Sequence, residues 1–283
     1  MMTRAVLAIA LQFLCACPFA QPYPQRTVRI IVPFTTGGGT DFIARLLGAK
    51  LSASLGQQFI VENRVGAGST LGTEVALRSP PDGYTLLLTS GSYTASPSLY
   101  KLRYDPIKDM TPIIQPDDGP FLLSLHPSVP VRTVKQLVDL AKARPTQINY
   151  ASSGQGSISH MSVELFAMIS GTQFTHVPYK GNGQSIADTI AGQTQMVFAA
   201  IAAAMPHVKS GRLRAIATTS ATRVSALREL PTVHESGYRF EVSNWHGLMG
   251  PRGLPPAIVD KLNSDINRIV KDRKSTRLNS SHT

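Results

Sequence analysis

The 283-residue sequence contains only two cysteines, Cys15 and Cys17, and both lie within its first twenty residues. A mature protein without this segment has no cysteine to form a disulfide, act as a thiol nucleophile or bind a metal. Its stability must therefore rest on a hydrophobic core, and a chain of this length is long enough to bury one.

Long apolar runs and low-complexity stretches are also missing. No run of about 18 apolar residues, the length that spans a bilayer, follows the first twenty residues, which excludes an integral membrane protein. Apolar residues make up 42% of the chain and recur along all of it, which excludes intrinsic disorder.

The first twenty residues have the order of a secretory signal peptide. The basic residue Arg4 precedes an apolar run at 5–14, and small residues follow up to Ala20. We expect cleavage near Ala20 and export of the mature protein. A lipoprotein signal that leaves Cys17 as a lipidated N-terminus is the alternative, although Cys15 is unusual at its position in such signals.

The C-terminal residues 272–282 match, residue for residue, the translation of a common sequencing-library adapter. We therefore expect this segment, 272–283, to be foreign and the native C-terminus to be missing. The sequence as given should then fold less stably than its natural parent, because apolar surface is left uncovered. A polar, disordered tail is the alternative interpretation.

The net charge of +11 points to nucleic acid at first sight. The lysines and arginines are scattered, however, and no aromatic residues are interleaved with a basic cluster. We therefore expect no nucleic-acid partner. The charge fits small anionic ligands or an anionic membrane surface better.

Short apolar runs alternate with amphipathic helical patterns, which predicts an α/β fold with mainly parallel sheets. The alternation starts at a strand over 28–34 and restarts at a strand over 121–125, so two α/β halves follow each other. In each half a loop of small residues, at 35–41 and 152–157, leads from a strand into a helix.

Several catalytic and cofactor motifs are missing. A dinucleotide fingerprint in the first loop would need glycine where Phe42 stands, and neither a P-loop nor a G-x-S-x-G nucleophile elbow occurs. Six histidines precede the C-terminal segment, and none has the H-x-x-x-H spacing of a zinc site. We therefore expect neither a metal nor another cofactor.

Each candidate feature has a functional and a structural interpretation. The two loops can hold an anion on the N–H groups of a helix start, or can be tight turns only. His160, one turn into a helix, is either a ligand residue or a structural histidine. Lys180 is either a solvated turn residue or a charge that attracts anions. Trp245, the sole tryptophan, favours packing or hinge support over ligand stacking.

Ordered signatures run through nearly the whole mature chain. They are V-P-F at 32–34, D-x-x-A-R at 41–45, V-E-N-R-x-G-A-G at 61–68, P-D-G-Y-T-L at 81–86, Y-D-P-x-x-D at 104–109, Y-A-S-S-G-x-G-S-x-x-H at 150–160, H-V-P-Y-K-G at 176–181 and P-H-V-x-x-G at 206–211. In these signatures the chain resembles the substrate-binding proteins of the tripartite tricarboxylate transporter family, the Bug proteins.

The resemblance implies a type II periplasmic-binding-protein fold, in which two α/β domains joined by two crossover strands close on a ligand. It places domain 1 at 21–120, domain 2 at 121–236 and the return to domain 1 at 237–271. It also implies a monomeric periplasmic receptor without catalytic activity, which delivers a small carboxylate to a two-subunit membrane permease. That ligand would be a di- or tricarboxylate, an acidic amino acid or an aromatic acid.

Transfer of the family's binding loops gives thirteen candidate ligand-binding residues. They are Phe34, Thr36, Gly38, Asp41, Gly68 and Ser90 in the first domain, and Ser153, Gly154, Gly156, Ser157, His160, Tyr179 and Lys180 in the second. One departure from the family is Ala199-Ala200, where relatives commonly carry aspartate and a polar residue. This change favours a ligand with an apolar or aromatic portion over aspartate.

Two other functions stay open at this point. A periplasmic α/β enzyme acting on an organic acid would need a nucleophile or base in the cleft, for which His160, Asp41 and Lys180 are the candidates. A receptor that also signals to a histidine kinase would leave no mark in the sequence.

Overall fold

The computed structural model of the protein describes the backbone of residues 23–279 and the side chains of residues 23–271. The expected signal peptide therefore lies outside the described residues, as do the last residues of the expected foreign segment. None of the described helices is both long and apolar enough to cross a membrane.

Strands and helices alternate along the described chain, as the spacing of its apolar residues predicts. The strands are β1 (Val28–Val32), β2 (Phe59–Asn63), β3 (Thr85–Ser90), β4 (Met110–Leu125), β5 (Asn149–Ser152), β6 (Thr175–Pro178), β7 (Met196–Ala200), β8 (Arg214–Thr218) and β9 (Ser243–Pro251). The α-helices are α1 (Gly39–Leu55), α2 (Thr70–Leu77), α3 (Ser92–Leu99), α4 (Val134–Ala143), α5 (Ile158–Ser170), α6 (Asn182–Ile190), α7 (Ile201–Lys209) and α8 (Pro256–Asn279).

The strands follow one path in the order β2-β1-β3-β9-β4-β7-β5-β6, and β8 pairs with β4. The pairs β1–β2, β1–β3, β5–β6 and β5–β7 are parallel. The pairs that involve β4 or β9 are antiparallel. The sequence-based prediction of mainly parallel sheets therefore holds for the pairs made by β1 and β5 and is wrong for those made by β4 and β9, which include β4–β7 and β4–β8 within the second half.

Strand β4 belongs to both halves of the sheet. Up to Pro120 it pairs with β9, and from Phe121 onward it pairs with β7 and β8. The sequence predicts only 121–125 as a strand, because prolines such as Pro112 interrupt the preceding residues. Proline is tolerated there because, among the described strands, this stretch has a neighbour on one side only.

Each half of the sheet has its own hydrophobic core. In the first half Leu51 of α1 packs with Ile30 and Leu86. In the second half Phe166 of α5 packs with Phe198. Separate cores in the two halves, each made of two clusters, fit the expected division into two domains, whose boundaries stay a prediction.

Thr219 ties together the two segments that cross between the halves. Its Oγ1 accepts a hydrogen bond from the Phe121 backbone N–H at 2.8 Å and donates one to the Val242 carbonyl at 2.7 Å. The middle of β4 and the entry into β9 are thereby held side by side.

Candidate ligand-binding cleft

A cavity lies between the two halves of the molecule. Its lining residues are Phe34, Gly38, Gly39, Thr40, Ser90, Ser153, Asn182, Ala200 and Asn244. Among the described residues, those that line the cavity carry no formal charge. The empty volume is about 300 Å³, which includes space open to solvent, and about 20 Å³ of it can take the centre of a water molecule.

Four helix N-termini meet at this cavity. Gly38 and Ala200 immediately precede α1 and α7, Asn182 begins α6, and Ser90 lies two residues before α3. No described side chain caps any of these four helix starts. The first N–H groups of a helix have no intrahelical partner, and its dipole adds partial positive charge there. The cavity can therefore attract an anion without a lysine or arginine in its wall.

Asp41, a predicted ligand residue, holds the first loop in place instead of lining the cavity. Its carboxylate accepts hydrogen bonds from Gly37 N at 3.0 Å, Arg45 Nε at 2.9 Å and Asn63 Nδ2 at 3.0 Å. Burial raises the pKa of Asp41, but these hydrogen bonds and the Arg45 charge outweigh it and lower the pKa overall. The ionised carboxylate thus fixes the turn that precedes α1.

The second loop, at 152–157, differs because side chains in the first turn of α5 accept hydrogen bonds from several of its N–H groups. Ser153 N donates to Ser159 Oγ at 3.0 Å, and Gly156 N donates to His160 Nδ1 at 3.1 Å. Ser157 Oγ caps α5 by accepting from His160 N at 3.3 Å. Of the predicted residues in this loop, Ser153 is the one that reaches the cavity.

His160 belongs to a column of three rings beside the second loop. Its ring centroid lies 4.0 Å from that of His176, which lies 4.9 Å from that of Tyr150. Burial lowers the pKa of both histidines, and the His160 charge helps to lower the pKa of His176 to about 4. Both imidazoles are therefore neutral at neutral pH, and the column supports the loop.

Three further predicted residues, Thr36, Gly68 and Lys180, lie near the mouth of the cleft, where the two halves contact each other. Thr36 and Lys180 are exposed, and the Lys180 carbonyl accepts a hydrogen bond from Thr35 N at 3.3 Å. Gly68 packs so closely on the Tyr100 ring that a side chain there would overlap it. The Tyr100 hydroxyl donates to the Gln155 carbonyl at 2.8 Å in the other half.

The remaining predicted pair, Gly154 of the second loop and Tyr179, makes a close contact outside the cavity wall. Burial, together with a hydrogen bond to Asp188 and its charge, raises the pKa of Tyr179 to about 12. Gly154 has a φ of 130°, and a Cβ on it would lie 3.1 Å from the Tyr179 carbonyl oxygen. Glycine at 154 therefore permits the close approach of these two segments.

The structure brings four of the thirteen predicted residues into the cavity wall: Phe34, Gly38, Ser90 and Ser153. A ligand-binding role for any of the thirteen stays a prediction. The wall also contains five residues that the prediction does not include, namely Gly39, Thr40, Asn182, Ala200 and Asn244. Gly39 and Thr40 adjoin the first loop, and Ala200 lies in the alanine-rich departure. Asn182 and Asn244 follow no motif that could have marked them.

A cavity between two α/β halves, lined by helix N-termini, defines a solute-binding receptor of the periplasmic-binding-protein type. The chain belongs to the receptor family of the tripartite tricarboxylate transporters. The family model described as "Tripartite tricarboxylate transporter family receptor" matches residues 43–277. Protein BugT of Bordetella pertussis is 35% identical over 281 residues, which cover 96% of this chain and 86% of BugT.

Solved structures agree with this assignment. The Rhodopseudomonas palustris protein Rpa4515, solved with adipate, is 37% identical, with a TM-score of 0.84 over 87% of this chain and 83% of its own. MatC of the same organism, with bound malate, is 33% identical, with a TM-score of 0.81 over 87% of this chain and 85% of its own. The periplasmic binding protein BugD is 36% identical, with a TM-score of 0.82 over 86% of this chain and 82% of its own. The predicted fold class is confirmed, and the chain is a binding protein and not an enzyme.

Proposed function

We propose that this receptor captures a small carboxylate in the cavity between its halves and delivers it to a two-subunit membrane permease. The observation that carries the proposal is the convergence of four uncapped helix N-termini on an uncharged cavity. The carboxylates adipate and malate bound to Rpa4515 and MatC add support from proteins of similar fold.

Hydrogen bonds from helix N-termini can supply the free energy needed to bind a carboxylate. Hydrogen bonds to a charged group contribute about 1.5–3 kcal/mol each. Four or five of them, less the cost of ordering the ligand, reach the roughly −8 kcal/mol of a micromolar complex. Binding therefore needs no arginine clamp.

The cleft must open to admit the ligand. The halves touch through the Thr35–Lys180 and Tyr100–Gln155 hydrogen bonds, and Ile158 N donates to Ser92 Oγ at 3.1 Å. In this proposal residues 21–120 and 237–271 form one domain, residues 121–236 form the other, and β4 and β9 bend between them.

The proposed place of action is the periplasm, which the chain reaches as a monomer after removal of its first twenty residues. Membership in a transporter receptor family supports this location and the permease partner. The receptor supplies selectivity, and the permease supplies the path through the membrane.

Thermal-shift measurement and calorimetry over a panel of acids test the proposal. The panel contains succinate, malate, adipate, citrate, glutamate and benzoate, and each dicarboxylate is paired with its neutral diamide. We expect at least one acid to bind with micromolar affinity and to be recovered unchanged, while its diamide fails to bind. Equal binding of acid and diamide, or no binding of any acid, would contradict the proposal.

A further inference from the structure

A chain of three polar side chains leads from the surface to the cavity wall. His246 on β9 stands opposite Asp117 on β4, and its Nδ1 lies 3.0 Å from Asp117 Oδ2. The His246 side chain is only 2% exposed, and its Nε2 lies 3.3 Å from Asn244 Nδ2. Asn244 in turn lines the cavity.

The donor and acceptor atoms of these three side chains set the direction of the hydrogen bonds between them. Asn244 turns its amide Nδ2 toward His246 Nε2, and an amide NH₂ only donates, so Nε2 accepts and Nδ1 carries the hydrogen that is donated to Asp117. The Asn244 Oδ1 is left buried without a hydrogen-bond partner among the described residues.

Asn182, in the opposite half of the molecule, also has a side-chain oxygen without a hydrogen-bond partner among the described residues. Its Nδ2 faces the Phe198 carbonyl at 3.5 Å, and its Oδ1 is also buried without a partner in the described part of the chain. Asn182 and Asn244 are 9% and 7% exposed, and both line the cavity. Buried polar atoms in folded proteins are rarely left unpaired, so two orphaned acceptors on residues of one cavity wall call for a donor.

We infer that Asn182 and Asn244 accept hydrogen bonds from a donor on the ligand, and that the ligand is a hydroxy-carboxylate. This inference rests on the proposed function, in which helix N-termini hold the carboxylate. An ionised carboxylate has no hydrogen to give, so it satisfies the helix N–H groups but not the two amide oxygens. An ammonium group could also donate, but the described lining residues offer no negative charge to balance it.

Acids that share one carbon skeleton test the inference by calorimetry on the full mature chain. Succinate has no donor, malate has a hydroxyl and aspartate has an ammonium group. We expect malate to bind at least about tenfold tighter than succinate, because a buried acceptor left without its partner weakens the complex. Adipate and 2-hydroxyadipate repeat the comparison at a second chain length, and the hydroxy acid should again bind tighter.

Variants distinguish Asn244, which contacts the ligand in this inference, from Asp117, which orients Asn244 through His246. Asn244→Leu removes one of the two acceptors and should lower the malate-to-succinate affinity ratio without weakening succinate. Asp117→Asn lies outside the cavity wall, but its amide can donate to Nδ1 and so reverse the chain, which should also lower the ratio. Asp117→Glu should retain the ratio. Asp118→Asn removes the same charge at the next position of β4 and should leave the ratio unchanged.

Each outcome decides the inference. If malate and succinate bind equally, or if aspartate binds tightest, the assignment of a hydroxyl is wrong while carboxylate capture stands. If no acid binds, the proposed function fails and this inference fails with it. A ratio that survives Asn244→Leu overturns the role of that amide. Should this variant fail to fold, the comparison on the unaltered protein decides alone.

Discussion

A methyl group placed on Gly39 would lie 2.6 Å from the Cβ of Ala200, across the cleft. Ordinary carbon–carbon contacts are about 3.5–4.0 Å, so the observed closure depends on the missing side chain at 39. Gly39 begins α1 outside the left-handed region, so alanine fits its own half of the molecule without strain.

Gly39→Ala should therefore act as a wedge in the cleft. We expect the affinity for the best carboxylate to fall by about tenfold or more, while the ligand-free melting temperature stays within a few degrees of the parent. Small-angle scattering should show no compaction on ligand addition. Gly119→Ala is the matched control, since no atom lies within 4 Å of its added Cβ. Unchanged affinity of the Gly39 variant would show that closure tolerates the methyl group.

Asp41→Asn should destabilise the first loop and the helix start behind it. The buried carboxylate would lose its charge-assisted hydrogen bonds, which costs about 1–3 kcal/mol of unfolding free energy. Because folding lowers the pKa of Asp41, its stabilisation is present at neutral pH and is lost as the pH falls through the folded-state value. Urea denaturation at pH 7 measures the loss.

Asp82→Asn is the control for this change. Asp82 pairs with Arg26 at 3.0 Å at an exposed site, where an ion pair contributes at most about 1 kcal/mol. Equal losses from the two variants would contradict the structural role of Asp41.

His176 should make the folded protein sensitive to mild acid. Its folded pKa of about 4 lies below the ordinary 6.5, so between these values the unfolded chain binds a proton that the folded chain does not. Stability should therefore fall as the pH drops from about 6.5 to about 4. His176→Phe keeps a stacked ring and should flatten this slope, while the exposed His234→Phe should leave it unchanged. Melting temperatures across this range test the effect, and equal slopes in all three proteins would refute it.

Export should remove the first twenty residues. Mass spectrometry of a periplasmic extract should find a mature N-terminus near Gln21, as the order of basic, apolar and small residues predicts. A diacylated Cys17, visible as a large added mass, would establish the lipoprotein alternative. An intact Met1 would contradict both.

The candidate site was predictable where local sequence and family motif coincide. Phe34 and Gly38 stand at a strand end and a helix start that the apolar pattern already marks. Asn244 has no such signal, because its orientation comes from His246 and from Asp117, which lies 129 residues from His246 in sequence. Gly156 and His160 show the converse: their motif is clear, but in the structure they hydrogen-bond each other outside the cavity wall.

The sequence by itself determined most of the order of strands and helices and the position of the glycine and serine loops, because both depend on periodicity and on residues a few positions apart. Only the tertiary structure decided that β4 runs through three prolines to join both halves and that β9 lies antiparallel beside it. It also decided that no side chain caps the start of α1, while side chains of α5 accept hydrogen bonds from N–H groups of the second loop. The physical reason is that strand pairing and the competition for hydrogen-bond partners involve segments that are distant in sequence.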